Sequence, residues 1–454
     1  MFQIKDKLMK HLVEISPMKI ILYGYCFIIL LGAILLCMPF ASQDGKATDF
    51  LTAFFTATSA TCVTGLVVVN TYTHWSTVGQ VIILCLIQIG GIGFMTVCIA
   101  AITLTKKKIG FMSRSLMQNS IAAPQLGGIV RMTKFVLYGT LLVEGIGAFL
   151  LSFFYCPIYG LAKGIWYSIF HSISAFCNAG FDLMGTQKEF VSFTSQVGNV
   201  YVNAILMLLI IVGGLGFFVW HDLIDAKLRF SRMHLHTKLV IFLSSILIVG
   251  GTFLLFISES GGAEFQKLTL LEQITASAFQ SVSSRTAGFN TVDIGSLTET
   301  GQFLIICLML IGGSPGSTAG GIKTTTFAVL ALSVLTTFWH KKSIEVFGRR
   351  MEDGITRLAS CVFMIYLFMV CSVAMIISKI EGMPLLDTLF ESVSAIATVG
   401  LTTGITTSLG NVSLVLLAIL MITGRAGSLT MLLAFSSRKN PVVSTLPLEK
   451  IQIG

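Results

Sequence analysis

The strongest constraint on the fold is a short pattern that occurs four times. Phe390–Leu401 reads FESVSAIATVGL. Its counterparts are FTATSATCVTGL at 55–66, FHSISAFCNAGF at 170–181 and FQSVSSRTAGF at 279–289, the last one residue shorter. Their glycines, Gly65, Gly180, Gly288 and Gly400, stand 115, 108 and 112 residues apart. A period of this kind marks a chain built from four like units, and it overrides the count of about three soluble domains that length alone would give.

The chain is 54% hydrophobic and only 11% charged, against about 25% charged in soluble domains, so it is read as an integral membrane protein. Its net charge of +9 does not point to nucleic acid, because 22 of the 30 cations fall at one set of boundaries. These include Lys5–Lys19, Lys106–Lys134, Lys227–Lys238, Lys341–Arg357 and Arg438–Lys450. The positive-inside rule places those loops and both termini in the cytoplasm. The opposite loops carry acids such as Asp49, Asp182, Glu272 and Asp387, an arrangement that attracts cations. The ten cysteines show no disulfide or metal spacing, and His234-x-His236 lacks nearby partners. Ile20–Phe40 is longer than a signal-peptide core of about 7–15 residues and reads as a retained first span.

Each unit has one plan: an apolar span, a short half-apolar run, a glycine strip and a second apolar span. First spans cover about 18–40, 130–155, 235–258 and 355–379; second spans about 76–104, 197–225, 299–338 and 410–436. A dozen helical residues cover only about 18 Å, so each run between them must dip in as a half-helix and return extended. Non-helical backbone survives at that depth only where protein or water covers it. The expected fold is therefore all-α and membrane-spanning. It has four M1–pore-loop–M2 repeats, with eight transmembrane helices and four re-entrant pore helices around a pseudo-fourfold pore. The repeats cover 17–119, 120–233, 234–350 and 351–454, the last including a C-terminal tail.

Carbonyl oxygens aimed at an axis can replace the water of a potassium ion, and aiming consecutive carbonyls one way needs backbone angles that glycine accepts. This assigns an ion filter to Gly65, Gly180, Gly288 and Gly400 with the carbonyls of Thr64, Ala179, Ala287 and Val399. Half-helices ending there would point their negative ends at the ion. The competing reading is four glycine turns that merely cap re-entrant helices. A second motif follows 24–33 residues later: IGGIGF at 89–94, VGGLGF at 212–217, IGGSPG at 311–316 and TGRAGS at 423–428. Its glycines serve either close helix packing or a bend.

Glu299–Phe338 as one helix would be about 60 Å long, twice the hydrocarbon thickness of about 30 Å. Five glycines and a proline break it in the middle, over Gly312, Gly313, Ser314, Pro315, Gly316, Ser317, Thr318, Ala319, Gly320 and Gly321. The excess should loop inside the membrane beneath the filter as a gate. GSTAGGIKT at 316–324 approaches a phosphate loop, but Ile322 separates the glycine from Lys323 and an apolar helix precedes it where a strand is needed. Lys323 is then either a gate-loop anchor or a cytoplasmic-end charge. Arg425 replaces a glycine of the motif; a charge so deep faces water or a partner. It would repel cations as a barrier in the pore, or sit in a structural ion pair. Glu144 is a second buried charge, either structural or coupling, with no partner evident. Arg285 is expected to brace the filter through backbone carbonyls. His221-Asp222 reads as a solvated pair at a span end.

Thr398-Val399-Gly400 looks like the core of a potassium-channel filter, and four unlike loops with single glycines resemble the Trk/Ktr/HKT superfamily of potassium transporters. Eight spans with no extra N-terminal pair match its bacterial Ktr membrane subunits (KtrB type) over nearly the whole chain. The resemblance implies channel-like potassium uptake across the bacterial plasma membrane. It also implies an intramembrane gating loop at the glycine-rich break and an arginine barrier at Arg425. In this family a serine at the first filter position accompanies sodium permeation, so Gly65 implies potassium preference. A homodimer in the lipid, a cytosolic ring of nucleotide-binding (RCK-type) regulatory subunits and activation by sodium are likewise implied, with potassium in the filter and no covalent cofactor. Two other classes compete. An ion-coupled secondary transporter could use broken helices, although inverted repeats need an odd number of spans per unit. An enzyme would need paired carboxylates, a nucleophile with its base, or a metal cluster within the spans, and the sequence offers none.

Overall fold

A computed structural model describes residues 17–93, 96, 129–185, 190–352 and 354–427. The chain is helical almost throughout. In order come α1 (Pro17–Cys37), α2 (Phe50–Cys62), α3 (Thr77–Ile92), α4 (Ile129–Tyr159), α5 (Leu161–Phe176), α6 (Val200–Leu215) and α7 (Phe217–Asp225). Then follow α8 (Leu235–Glu259), α9 (Leu270–Ser283), α10 (Glu299–Leu310), α11 (Thr324–Phe338), α12 (Ile355–Glu381), α13 (Leu385–Ala397) and α14 (Asn411–Ala426). A two-stranded hairpin, β1 (Glu345–Val346) against β2 (Arg349–Arg350), lies between α11 and α12.

Among the described residues four helices are long and apolar enough to cross a membrane: α1, α4, α8 and α12. Most of each faces outward, with Tyr138, Phe253 and Phe368 exposed. Apolar surface on that scale is stable only against lipid. The expected second spans are shorter than their hydropathy suggests. α6 and α7 pass only as a pair bent by 90°, which raises the count to five. α3 ends at Gly93 (φ 92°), α6 at Gly216 (φ 95°) and α14 at Gly427 (φ 84°). A left-handed glycine breaks a helix without interrupting the apolar run, so composition misses the break. Residues 94–95, 97–104 and 428–436 of the expected spans and the cations at 5–10, 106–114 and 438–450 lie outside the described residues.

Each short helix packs beside the long helix before it: α2 on α1, α5 on α4, α9 on α8, α13 on α12. The second helices pass the contact onward, α3 to α5, α6 to α9, α10 to α13 and α14 back to α2, so the circuit closes. The N-terminal ends of these short helices are capped unevenly. Asp49 accepts from Leu51 and Thr52 N–H at α2 (3.0 and 3.3 Å). Thr269 and Glu272 form a capping box at α9, where the Thr269 N–H and hydroxyl hold the Glu272 carboxyl below its usual range. Gly160 and Pro384 give α5 and α13 no side-chain cap.

Candidate functional site

The short helices all deliver the chain to one place. A methyl group built on Gly65 would stand 2.5 Å from the Ala179 carbonyl oxygen and 3.0 Å from the Gly180 Cα. One on Gly180 would meet the Ala287 oxygen at 2.8 Å and the Gly288 Cα at 3.0 Å. One on Gly288 would strike the Val399 oxygen and reach the Gly400 Cα at 3.3 Å, and one on Gly400 would strike the Thr64 oxygen and reach the Gly65 Cα at 2.9 Å. The four glycines thus form a closed ring in chain order, with the carbonyls of Thr64, Ala179, Ala287 and Val399 against its members. All four have positive φ (92°, 70°, 80° and 89°).

Two residues before each glycine stands a non-glycine residue that is also left-handed: Val63 (φ 57°), Asn178 (58°), Thr286 (81°) and Thr398 (51°). Such a conformation costs about 1–2 kcal/mol per residue and has to be held by its surroundings. A buried serine does this in every loop. Ser59 and Ser394 hydroxyl oxygens accept from the Gly65 and Gly400 N–H at 3.1 and 3.0 Å. Ser174 and Ser283 instead donate to the carbonyls of Phe181 and Phe289 at 2.6 and 2.5 Å. Each serine lies four residues after the loop's first phenylalanine, and Phe55, Phe170, Phe279 and Phe390 are all fully buried. The F-x-x-x-S pattern stands in the sequence at all four places, and its bracing role shows only in the fold. In the second and fourth loops the residue after the phenylalanine adds a second tie. His171 Nε2 accepts from the Leu183 N–H (3.1 Å), and the Glu391 carboxylate gathers the hydroxyls of Thr402 and Thr406 and the Thr403 N–H. Loops two and three are joined directly, with the Asn178 amide oxygen accepting from the Thr286 hydroxyl (3.2 Å) once the amide is oriented by its partners.

Beneath the ring, the first glycine of the second motif lets backbone meet backbone. A Cβ on Gly90, Gly213 or Gly424 would collide with the carbonyl oxygen of Thr61, Phe176 or Ile396, near the end of a short helix. In the third unit Gly312 meets Gly320 instead, because the thirteen residues between α10 and α11 fold back there. Ile311 pairs with Ile322, and the Gly312 N–H donates to the Ile322 carbonyl (2.9 Å). This loop is stitched across the second unit. Ser314 N–H donates to Gly214 O (3.0 Å), Phe217 N–H to Gly316 O (2.8 Å) and the Thr318 hydroxyl to Phe176 O (3.1 Å). On its other side Gly321 lies against Ala397, whose oxygen would be 3.1 Å from a Cβ there, and Gly320 lies against Thr398.

Arg425 closes this layer. Its guanidinium donates to the carbonyls of Thr318 in the loop, and of Gly90 and Gly91 (3.2 Å) at the end of α3. No carboxylate pairs with it among the described residues, so the ion-pair alternative has no acid there. Lys323 donates to the Ala319 carbonyl (2.7 Å), which ties the loop's exit to its own bend. Glu144 on α4 is buried and takes a hydrogen bond from Gln88 Nε2 on α3 (2.9 Å), with the Cys177 thiol 3.7 Å from its other oxygen.

Three sequence expectations change. Arg285 does not reach filter carbonyls; it bonds Ser244 on α8, at the hydroxyl (3.1 Å) and the carbonyl (3.5 Å). The guanidinium extends away from the ring, where it would face like charge. Asp222 is not a solvated partner of His221: it is buried and bonds the Nδ1 (2.6 Å) and backbone N–H (2.9 Å) of His234, while His221 pairs with Asp225 at 3.0 Å. His234 therefore does have a partner. Among the described residues no group of three or more His, Cys, Asp or Glu side chains could hold a metal ion.

Comparison with known proteins agrees with this architecture. The TrkH family, described as cation transport protein, matches residues 26–441. The chain is 38% identical over 447 residues to the potassium/sodium uptake protein NtpJ of Enterococcus hirae, covering 97% of this chain and 98% of that one. It is 38% identical over 433 residues to the Ktr system potassium uptake protein B of Bacillus subtilis, covering 95% of each. The crystal structure of the potassium transporter TrkH from Vibrio parahaemolyticus shares the fold, with a TM-score of 0.71 at 18% identity over 93% of this chain and 85% of that one. A multi-pass membrane protein of long apolar helices, shorter helices and glycine breaks, this chain belongs to the TrkH family of cation transport proteins.

Proposed function

We propose that the chain is the pore-forming subunit of a potassium uptake system in the bacterial plasma membrane. The observation that carries this reading is the closed ring of Gly65, Gly180, Gly288 and Gly400, reached by four short helices whose C-terminal ends aim at it. Potassium passes the ring coordinated by main-chain oxygens, including those of Thr64, Ala179, Ala287 and Val399, and the helix ends favour its charge. In this reading each of the four repeats, 17–119, 120–233, 234–350 and 351–454, contributes two crossings and one re-entrant helix to a pseudo-fourfold pore. Both termini are cytoplasmic. The loop Gly312–Gly321 blocks the path beneath the ring, and Arg425 adds an electrostatic barrier while latching the loop. The names of the relatives at 38% identity support potassium as the cargo.

Basic cytoplasmic connections suit a regulatory ring of nucleotide-binding subunits that would pull on the gate, with two copies of this chain side by side and sodium as an activator. A coupled potassium–sodium symporter is the second reading, favoured by the double cargo in the name of the Enterococcus protein. Rubidium tracer uptake into liposomes holding the purified protein separates them. A pore gives uptake that follows the potassium gradient alone and rises with sodium only as a co-activator. Uptake that is driven uphill by a sodium gradient in fixed proportion would replace the pore with the symporter, and no rubidium uptake under any condition would remove both.

A further inference from the structure

Next to the loop's exit lies a cavity of about 300 Å³. It is walled by Val329 of α11 and by Ile355, Leu358, Ala359 and Val362 of α12, and Gly321 and Gly427 also border it. Its polar lining is the Lys323 ammonium with Thr325 and Thr326 at the start of α11, and Tyr366 on α12. An ammonium has three donors; one is used by the Ala319 carbonyl, and no carboxylate pairs with Lys323 among the described residues. α11 begins here without a side-chain cap, and the backbone N–H groups of Thr325 and Thr326 have no protein acceptor among the described residues. Donors left open at membrane depth are costly, so the site calls for an acceptor. The apolar walls and the exposure of Leu358 on the outer face of α12 open it toward lipid.

We propose that this cavity binds an anionic amphiphile, a carboxylate or phosphate carried on an acyl chain, with its head on Lys323 and the first turn of α11 and its chain along Leu358 and Val362. The head takes the two Lys323 donors that the Ala319 carbonyl leaves open and draws the ammonium toward the cavity, so occupancy loosens the exit of the Gly312–Gly321 loop. That consequence for flux rests on the gating reading above; the binding does not.

The test is photolabelling of the full-length protein in liposomes with a palmitate that carries a diazirine in mid-chain, against the same chain ending in an alcohol. The acid should label the 355–366 peptide about tenfold more than the alcohol, as expected for hydrogen bonds to charged groups. Leu358→Trp, which fills the cavity, should remove that labelling and leave basal rubidium uptake unchanged. Lys323→Met should equalise acid and alcohol. Lysophosphatidate should compete with the acid, while inorganic phosphate should not. Equal labelling by acid and alcohol, or acid labelling untouched by Leu358→Trp, would mean that the chain merely lies on the lipid-facing surface. Competition by inorganic phosphate would make the site one for a free anion, and no acid labelling would mean that water or another part of this chain fills the space; each of these overturns the proposal. If labelling behaves as expected but palmitate leaves rubidium uptake unchanged, the site stands and its link to the gate falls.

Discussion

The ring and the layer beneath it are both made from a fourfold motif, yet they have fared differently. In the ring every unit keeps the same parts: a buried phenylalanine, a serine four residues on, a left-handed residue and a positive-φ glycine. In the layer below, the same glycine motif has become a helix end at Gly93, a 90° bend at Gly216, a ten-residue loop at Gly312–Gly321 and an arginine at Arg425. The ring requires four like contributions because each glycine abuts the next. The lower layer has no such closure condition, and its units contact one another through whichever groups each has evolved.

The sharpest way to break this contrast is at Gly400. Gly400→Ala places a methyl against the Thr64 oxygen and forces a φ of 89° on a residue with a Cβ. Rubidium uptake should fall by about two orders of magnitude, near 3 kcal/mol in barrier, and a tracer assay that finds it within twofold of the parent would remove the ring from the path. Gly65→Ser should shift discrimination more than rate, with potassium preference over sodium dropping about tenfold in competition uptake. Below the ring the sign reverses. Arg425→Ala removes the hydrogen bonds that hold Thr318 to Gly90 and Gly91 and should raise uptake about tenfold. A well-folded variant with slower uptake would mean that the arginine assists the ion.

Ser394→Ala should lower the thermal midpoint in detergent, since it strands a buried N–H at about 1–3 kcal/mol, and should blur ion preference. The smallest change is expected from Asp49→Ala at the N-terminal cap of α2, about 1 kcal/mol in stability with discrimination intact. Altered discrimination there would show that the ring senses the far end of its helices.

Much of this was legible in the chain alone. The four loops, their glycines and the broken third unit appear as a period, as residue types and as a helix too long for a bilayer. The length of the second helices did not, because hydropathy runs unbroken through Gly93 and Gly216 while the backbone turns. Side-chain partners were also hidden. Glu144 and Gln88 are 56 positions apart, Arg285 and Ser244 are 41 apart, and Arg425 finds Gly90 335 positions away. Local pattern carries periodicity and turns, whereas such pairs are set by which elements the circuit brings side by side. The serine in F-x-x-x-S was visible, but its task follows only from the left-handed residues it steadies.

The braces of the four corners differ: two serines accept, two donate, and only one loop carries an arginine. In an assembly of four identical chains any substitution is introduced four times over. Here a change in the gene alters a single corner and leaves three as they were, so the geometry of the ring can drift in quarter steps.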